Sequence, residues 1–277
     1  VEKIVDDCTL CAGSSAAIFA ASAARMGLRV LFSSRVGNDV FGDFMIDELR
    51  AAGVDTDHVT RDRDIKTGVG VALSRGNDRA ILTYMGTINA VFPEDVTDEI
   101  LASTRHIHHA SHYLHTNLQP GIAGIFRRAR GLGATTSLDT NWDPAERWDG
   151  DLPQILNQAN LFFPNRQEAL HISRQTELTA AARRFLDLGV NVVAIKSGAD
   201  GSTIWTAGEH FTLPVTPVTG GDSIGAGDSY DAGFLAGWLR GQPLERCLAI
   251  ATRCGRSVAA QIGGLAGQPT WEELANE

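Results

Sequence analysis

The sequence predicts an α/β fold in which helices cover both faces of a mostly parallel sheet. Short apolar runs rich in β-branched residues alternate with amphipathic helical stretches along most of the chain, which is typical of βαβ units. The chain has 277 residues, of which 43% are hydrophobic, so it can bury one large core. We therefore expect a single domain over residues 1–277.

The elements can be assigned in order from their capping residues and periodicity. Residues 14–26 form an Ala-rich run closed by Gly27, which predicts a helix with Ser14 or Ser15 as N-cap. The predicted strands that follow are 30–34, 107–110, 135–139, 161–163 and 192–196, and the predicted helices between them are 41–52, 121–132, 152–158 and 178–188. A β-rich stretch, 202–217, precedes two helices, 226–240 and 244–261. This order implies parallel neighbouring strands.

Residues 67–84 depart from the alternation. Two β-rich runs, 68–74 and 79–84, flank Arg75-Gly76-Asn77-Asp78, which has the composition of a hairpin turn. We predict a small antiparallel β lid made of 67–84 together with about residues 1–11. Such a lid would close over a substrate and exclude water, and we expect it also to pair with a second copy in a homodimer.

Composition and charge exclude several classes of protein. The formal net charge is -9 and no cluster of Lys and Arg occurs, which argues against a nucleic-acid partner. No apolar run approaches the roughly 20 residues that cross a bilayer, so we expect a cytoplasmic protein without a membrane partner. Cys8 and Cys11 form a CxxC pair that no second pair follows, so we do not predict a zinc site there.

One glycine-rich segment has the chemistry of a phosphate site. The run from Asp222 to Asp228 lies between an extended segment and a predicted helix, where backbone N–H groups and the helix dipole favour an anion. Gly225 and Gly227 would allow a triphosphate to approach closely. Asp228 follows in the first helical turn, where a carboxylate could accept the proton of an attacking hydroxyl. From the glycines alone, a plain turn with an aspartate N-cap remains an alternative.

The longer run Asp222-Ser223-Ile224-Gly225-Ala226-Gly227-Asp228-Ser229-Tyr230-Asp231-Ala232-Gly233-Phe234 resembles the signature of the PfkB family, D-T-x-G-A-G-D-x-F-x-A-G-F. Ser replaces Thr and Tyr replaces Phe. The resemblance implies a ribokinase-like fold and ATP-dependent phosphorylation of a hydroxyl, a primary one, of a sugar or sugar acid. It also implies that Gly225, Ala226 and Gly227 form an anion hole and that Asp228 is the catalytic base.

Further segments resemble the family's nucleotide and metal motifs. Asn165-Arg166-Gln167-Glu168 is similar to its N-x-x-E motif, which implies Mg²⁺ near Asn165 and Glu168, although the same residues would make an ordinary capping box. The run 196–201 resembles the family's turn beside ATP, and otherwise reads as a hairpin turn. The residues that the resemblance assigns to ATP are Lys196, Ser197, Gly198, Gly201, Thr252 and Gly255. Gly263-Gly264 falls near the family's loop for a monovalent cation such as K⁺.

The sugar side matches the family less closely. The segment 11–17 is similar to the family's first signature and implies substrate contacts from Gly13 and Ser14, but Ala12 and Ala17 stand where glycine and asparagine are usual. Asp139-Thr140-Asn141 resembles the D-x-N segment beside substrate, and implies contacts from Asp139 and Asn141. A turn with an Asn cap is the alternative.

Five histidines lie between His106 and His115. Strand alternation places His106 and His108 on one face and His109 on the other, with no acid cluster beside them. We therefore favour buried or substrate-facing histidines over a metal site. We expect His112, just past the strand, to meet substrate.

The resemblance runs from about residue 7 to 269, and it leaves two matters open. Family members normally begin with a strand that carries a substrate-binding aspartate, so we expect that the given chain lacks an N-terminal first strand. A kinase of a nucleoside or vitamin alcohol with the same fold, and a non-catalytic regulatory relative, remain alternatives to a sugar kinase. The intact Asp228 argues against the regulatory relative.

Overall fold

Three sheets make up the β structure of the computed structural model, which describes residues 2, 4, 7–75 and 78–275. The strands are β1 (Ser34–Gly37), β2 (Val59–Asp62), β3 (Val69–Arg75), β4 (Asp78–Tyr84), β5 (His106–His109), β6 (Thr135–Leu138), β7 (Leu161–Phe162), β8 (Val192–Lys196), β9 (Ser202–Trp205) and β10 (His210–Leu213). The main sheet has the order β10-β9-β8-β7-β6-β5. Strands β5 to β8 are parallel, and β9 and β10 are antiparallel additions.

The helices follow the predicted alternation. They are α1 (Ser15–Arg25), α2 (Val40–Ala51), α3 (Asp98–Ala102), α4 (Gln119–Gly131), α5 (Leu152–Leu156), α6 (Arg166–Ser173), α7 (Leu178–Asp187), α8 (Ala226–Leu239), α9 (Leu244–Ala259) and α10 (Trp271–Ala275). Helices α3, α6 and α10 are not among the helices predicted from the sequence, and α5 is shorter than its predicted range of 152–158. Within the described part of the chain, none of these helices has both the length and the apolar character needed to span a bilayer.

Helices cover the main sheet on both faces, as predicted. Successive side chains of a strand point to opposite faces, and β8 shows the result. Val193 and Ile195 pack into the cluster with α4, α5 and α7. Val192 and Ala194 pack into the cluster with α1, α8 and α9. Burial on both faces explains why the strands read as continuous apolar runs.

The hairpin of β3 and β4 is antiparallel and stands apart from the main sheet. Its predicted turn residues Gly76 and Asn77 lie outside the described residues, as do positions 1, 3, 5 and 6 of the predicted lid. The remaining lid positions, 2, 4 and 7–11, contain no helix or strand.

The beginning of the chain differs from the prediction in the position of one strand and in how α1 is capped. The strand predicted at 30–34 is β1, at Ser34–Gly37, and only Leu31 makes an isolated bridge, to Asp55. Ser14 occupies the N-cap position of α1, but its φ is 69° and its side chain makes no capping hydrogen bond. The helix therefore begins where it was predicted to begin, but without a side-chain cap.

In the described residues the main sheet ends at β5. A groove of about 730 Å³ lies next to this edge, and Leu28 to Ser34, α1 and α4 also line it. The parallel pair of β1 and β2 consequently remains separate from the main sheet.

Candidate active site

The candidate site lies at the carboxyl ends of the parallel strands. Asp139 directly follows β6, Lys196 is the last residue of β8, and α8 begins at Ala226. Ligands of open α/β sheets bind at this edge, because loops and helix N-termini meet there. The predicted site residues on these three elements are therefore brought together by the topology.

Asp228 lies in the first turn of α8 and is 7% exposed. The side chains of Ser15 and Asn141 lie near its carboxylate and act to lower its pKa. Burial, followed by the charge of Asp139, raises the pKa of Asp228 to about 7, while the Lys196 ammonium opposes the rise. A carboxyl with this pKa is suited to accept a proton near neutral pH.

Three residues around Asp228 have left-handed backbones although they are not glycine. They are Ser14 (φ 69°), Ser111 (φ 57°) and Asn141 (φ 54°). The Ser111 N–H donates to Asn141 Oδ1 over 2.7 Å, which leaves the Asn141 amide nitrogen to donate to Asp228. Positive φ is unfavourable for residues with a side chain and concentrates at functional sites. Here it orients the donors that hold the carboxylate.

Lys196 is the centre of a buried ionic cluster. Its Nζ donates to Asp139 Oδ2 over 2.7 Å and lies 3.1 Å from each carboxylate oxygen of Asp231. Burial alone would lower the pKa of Lys196, but the charges of Asp139 and Asp231 raise it above its ordinary range. Lys196 was predicted as an ATP residue, and this cluster gives it two acidic partners as well.

Gly225 and Gly227 differ in what a side chain would meet. Gly225 has a φ of 76°, and a Cβ there would lie 2.7 Å from the Gly264 Cα and 2.9 Å from Ile18 Cγ2. A Cβ on Gly227 would lie 3.5 Å from Lys196 Nζ, an ordinary contact. Gly225 is thus required by backbone conformation and packing, while its predicted role of leaving space for phosphates stays a prediction.

A cavity of about 290 Å³ adjoins the start of α8. Of the residues predicted for ATP, it is lined by Lys196, Gly198, Gly201, Thr252 and Gly255, together with Ala226 and Gly227 of the anion hole. Ser197 does not line it, and its N–H instead donates to Gly201 O and closes the turn. The Thr252 hydroxyl lies 3.2 Å from the Ser202 hydroxyl inside this cavity. Apolar residues 215, 217 and 218 complete the wall of the cavity, which suits the flat face of a nucleotide's aromatic base.

Asn165 and Glu168 form a reciprocal capping box at the start of α6. Asn165 Oδ1 accepts from the Glu168 N–H over 2.9 Å, and Glu168 Oε2 accepts from the Asn165 N–H over 2.8 Å. Burial and the charge of Asp139 raise the pKa of Glu168 to about 8. The second carboxylate oxygen of Glu168 takes no part in the cap. Glu168 is therefore suited to bind a magnesium ion through water, and Asn165 is suited to orient the Glu168 carboxylate.

The histidines separate by strand face as expected. His106 and His108 both contact the Ser137 hydroxyl, over 2.7 and 2.8 Å. On the other side, the ring of His112 packs edge-on against His109, and His112 is 1% exposed. Burial lowers the pKa of His112 to about 4. His112 is thus a buried neutral side chain, and its contact with substrate stays a prediction.

The other predicted substrate residues lie near Asp228. Asp139 Oδ1 accepts from the Asn141 N–H over 3.0 Å. Ser14 is exposed, and a Cβ on Gly13 would meet no atom within 4 Å, so open space adjoins this end of the site. Among the described residues, no three His, Cys, Asp or Glu side chains form a set that could hold a metal ion by themselves.

Sequence reasoning missed Ser15, Ser111 and Asp231. Ser15 was considered only as a helix cap, and Ser111 acts through its backbone N–H. Asp231 lies one helical turn after Asp228, so the spacing of i and i+3 on one helix could have placed it beside the base.

The chain is similar to known carbohydrate kinases. The family model described as pfkB family carbohydrate kinase matches residues 8–271. An ATP-dependent ribose-1-phosphate kinase of Halopiger xanaduensis is 31% identical and covers 95% of this chain and 85% of its own. The structure of Arabidopsis thaliana ribokinase complexed with ribose and ATP has a TM-score of 0.86 at 22% identity, covering 99% of this chain and 90% of its own.

A second solved structure is fructokinase from Vibrio cholerae O395 in its fructose, ADP and calcium ion bound form. Its TM-score is 0.82 at 21% identity, and the match covers 97% of this chain and 91% of that chain. These two structures confirm the predicted ribokinase-like fold.

Proposed function

The chain belongs to the PfkB family of carbohydrate kinases, and from this premise we propose that it transfers the γ-phosphate of ATP to a primary hydroxyl of a sugar or sugar acid, with Asp228 as general base. Family and relatives together make it an ATP-dependent carbohydrate kinase. The observation that carries the assignment of the base is the buried Asp228 carboxylate at the start of α8, held by Ser15 and Asn141.

Each part of the transfer has a group to perform it. The substrate hydroxyl donates its proton to Asp228 as its oxygen forms a bond to the γ-phosphorus and the bond to the ADP oxygen breaks. The backbone N–H groups at Gly225, Ala226 and Gly227 stabilise the negative charge on the phosphate oxygens, assisted by the dipole of α8. A primary hydroxyl fits best, because it is the least hindered group that can reach a carboxylate 7% exposed.

ATP and a metal ion are the expected cofactors, since the fructokinase structure carries ADP and calcium. We assign magnesium to Glu168, through water, with Asn165 holding the Glu168 carboxylate. Bound there, the ion would neutralise phosphate charge. The adenine of ATP is expected to bind in the cavity beside Gly198, Thr252 and Gly255.

The test is Asp228→Asn, which keeps the shape of the side chain but cannot accept a proton. We expect kcat to fall by roughly 10² to 10⁴ while ATP affinity changes little. Asp200→Asn is the matched control, because Asp200 is an exposed acid in the turn beside the cavity. Near-normal turnover in Asp228→Asn would show that the base is wrongly assigned.

The substrate can be sought with a panel of aldoses, ketoses, keto-deoxy acids, sugar phosphates and nucleosides, measured by ADP formation. We expect the highest kcat/KM among sugars or sugar acids. A nucleoside as the best substrate would overturn the substrate class and leave Asp228 as base unaffected.

We further propose that the hairpin of β3 and β4 closes over the sugar and pairs with a second copy. Val71 and Leu82 face each other across the hairpin, with Leu73 and Tyr84 on the same face, and all four are at least half exposed. Exposed apolar patches of this kind mark interaction sites. Leu82→Lys should convert a dimer to a monomer in light scattering, whereas Thr83→Lys, on the opposite face, should not. A wild-type monomer would contradict the proposal.

A further inference from the structure

The Lys196 ammonium has more acidic partners than one ion pair requires. Its side chain is 13% exposed, that of Asp139 2% and that of Asp231 0%. Burying two carboxylates for one ammonium is costly, and buried ion pairs are commonly no more stabilising than apolar residues of the same size. Fold stability alone therefore gives no reason for this arrangement.

The ammonium also lies beside the anion hole. Its Nζ is 3.5 Å from the position of a Cβ on Gly227, and Lys196 lines the cavity assigned to ATP. An ammonium has three N–H donors. Asp139 takes one, and the two oxygens of Asp231, equally distant at 3.1 Å, can share another. One donor then remains for a ligand.

We propose that Asp139 and Asp231 are positioning residues that hold the Lys196 ammonium against the terminal phosphate of ATP. This proposal rests on the reaction proposed above. Lys196 itself is then a catalytic residue, because it contacts the phosphoryl group during transfer. It stays protonated throughout, and the only proton that moves is the one from the substrate hydroxyl to Asp228.

The physical reason for two acids is preorganisation. A lysine side chain has four flexible carbons and would otherwise move with the phosphate, whereas a fixed charge needs no reorganisation as the reaction proceeds. The acids come from different layers of the fold, Asp139 from the sheet and Asp231 from α8. They therefore fix the ammonium from two directions.

The first test compares nucleotide affinities of Lys196→Met by calorimetry, without sugar. Because the proposed contact is to the terminal phosphate, ATP affinity should fall about tenfold or more, while ADP affinity should change less than about threefold. The kcat should fall by roughly 10² to 10³, as when an oxyanion donor is removed. An equal loss of ATP and ADP affinity would overturn the proposal.

Lys196→Met leaves two buried acids without their cation, so we expect it to lower stability. A second variant separates this loss of stability from the loss of catalysis. In Lys196→Met/Asp231→Asn one of these charges is also removed, so the melting temperature should recover in part. The kcat should stay as low as in Lys196→Met. If kcat recovered together with stability, the cluster would be purely structural and the proposal wrong.

Asp231→Asn alone tests the positioning role. We expect kcat to fall about tenfold with the KM for ATP nearly constant, since Asp139 still retains the ammonium nearby. Asp43→Asn is the matched control, because it removes an acid from an exposed ion pair, with Arg61. Wild-type kcat in Asp231→Asn would overturn the assignment of Asp231.

These results can be separated from the identity of the base. The comparison of ATP with ADP requires no turnover. Near-normal turnover in Asp228→Asn would contradict the assignment of Asp228 as base. It would leave the affinity result for Lys196 unchanged.

Discussion

The nucleotide half and the sugar half of the candidate site are built differently. On the nucleotide side, the predicted contacts are mainly backbone groups, because Gly198 and Gly227 line the cavity and Gly225 is the N-cap residue of α8. On the sugar side, the proposed base Asp228 interacts with the side chains of Ser15 and Asn141, and Asn141 and the neighbouring Ser14 have left-handed backbones. A phosphate looks the same in every substrate, so backbone groups suffice for it. The hydroxyl that reacts must be chosen, which requires placed side chains.

The largest effect is expected in the nucleotide half, from Gly225→Ala. The new Cβ would meet Gly264 at 2.7 Å in a left-handed backbone, so we expect the free energy of unfolding to fall by about 2 to 4 kcal/mol. Urea unfolding measures this loss. Gly227→Ala is the control, because its Cβ has room and a change within about 1 kcal/mol is expected. Equal losses would mean that the loop adapts and that its backbone is not the determinant.

In the sugar half, Asn141→Ala should lower kcat by about 10², because Asp228 loses a donor and Ser111 loses its acceptor, so the base is misplaced. ATP affinity should stay near the wild-type value, since Asn141 does not line the ATP cavity. Asn117→Ala, at an exposed asparagine whose side-chain nitrogen donates to Asn89 O, provides the matched control. If Asn141→Ala selectively lowered ATP affinity, the proposed distinction between the two halves of the site would be wrong.

The pH dependence examines the base directly. Asp228 must be ionised to accept a proton, and its pKa is raised to about 7, so the kcat/KM for the sugar should fall about tenfold for each pH unit below that value. Ser15→Ala removes a donor to the carboxylate and should move this limb to higher pH. A profile that is flat from about pH 5 to 8 would contradict the assignment.

The smallest effect is expected from Thr252→Val, which keeps the shape of the side chain and removes the contact with Ser202 in the ATP cavity. One neutral hydrogen bond changes affinity by a small factor, so the KM for ATP should rise about two- to fivefold with kcat unchanged. Steady-state kinetics at saturating sugar measure both values. A fall in kcat would link this residue to the transfer itself.

The same contrast explains what the sequence could predict. The strands were recognisable because both faces are buried, and the start of α8, where we propose the anion hole, was recognisable because glycines and an acid mark a helix start. The role of Ser15 depends on the meeting of α1 with α8, which are more than 200 residues apart in the chain. The burial of His112 could not be predicted, because five clustered histidines carry no periodic signal for which of them is buried.

The left-handed conformations of Ser14 and Ser111 have a consequence for engineering this enzyme against heat. Each holds a backbone that costs a serine about 1 to 2 kcal/mol and that asparagine or glycine adopts more readily. Replacing these serines with asparagine or glycine would therefore be an obvious choice in a thermostabilising design. Such replacements would also free the segments that orient Ser15 and Asn141, so resistance to heat and rate of turnover are opposed at these two positions.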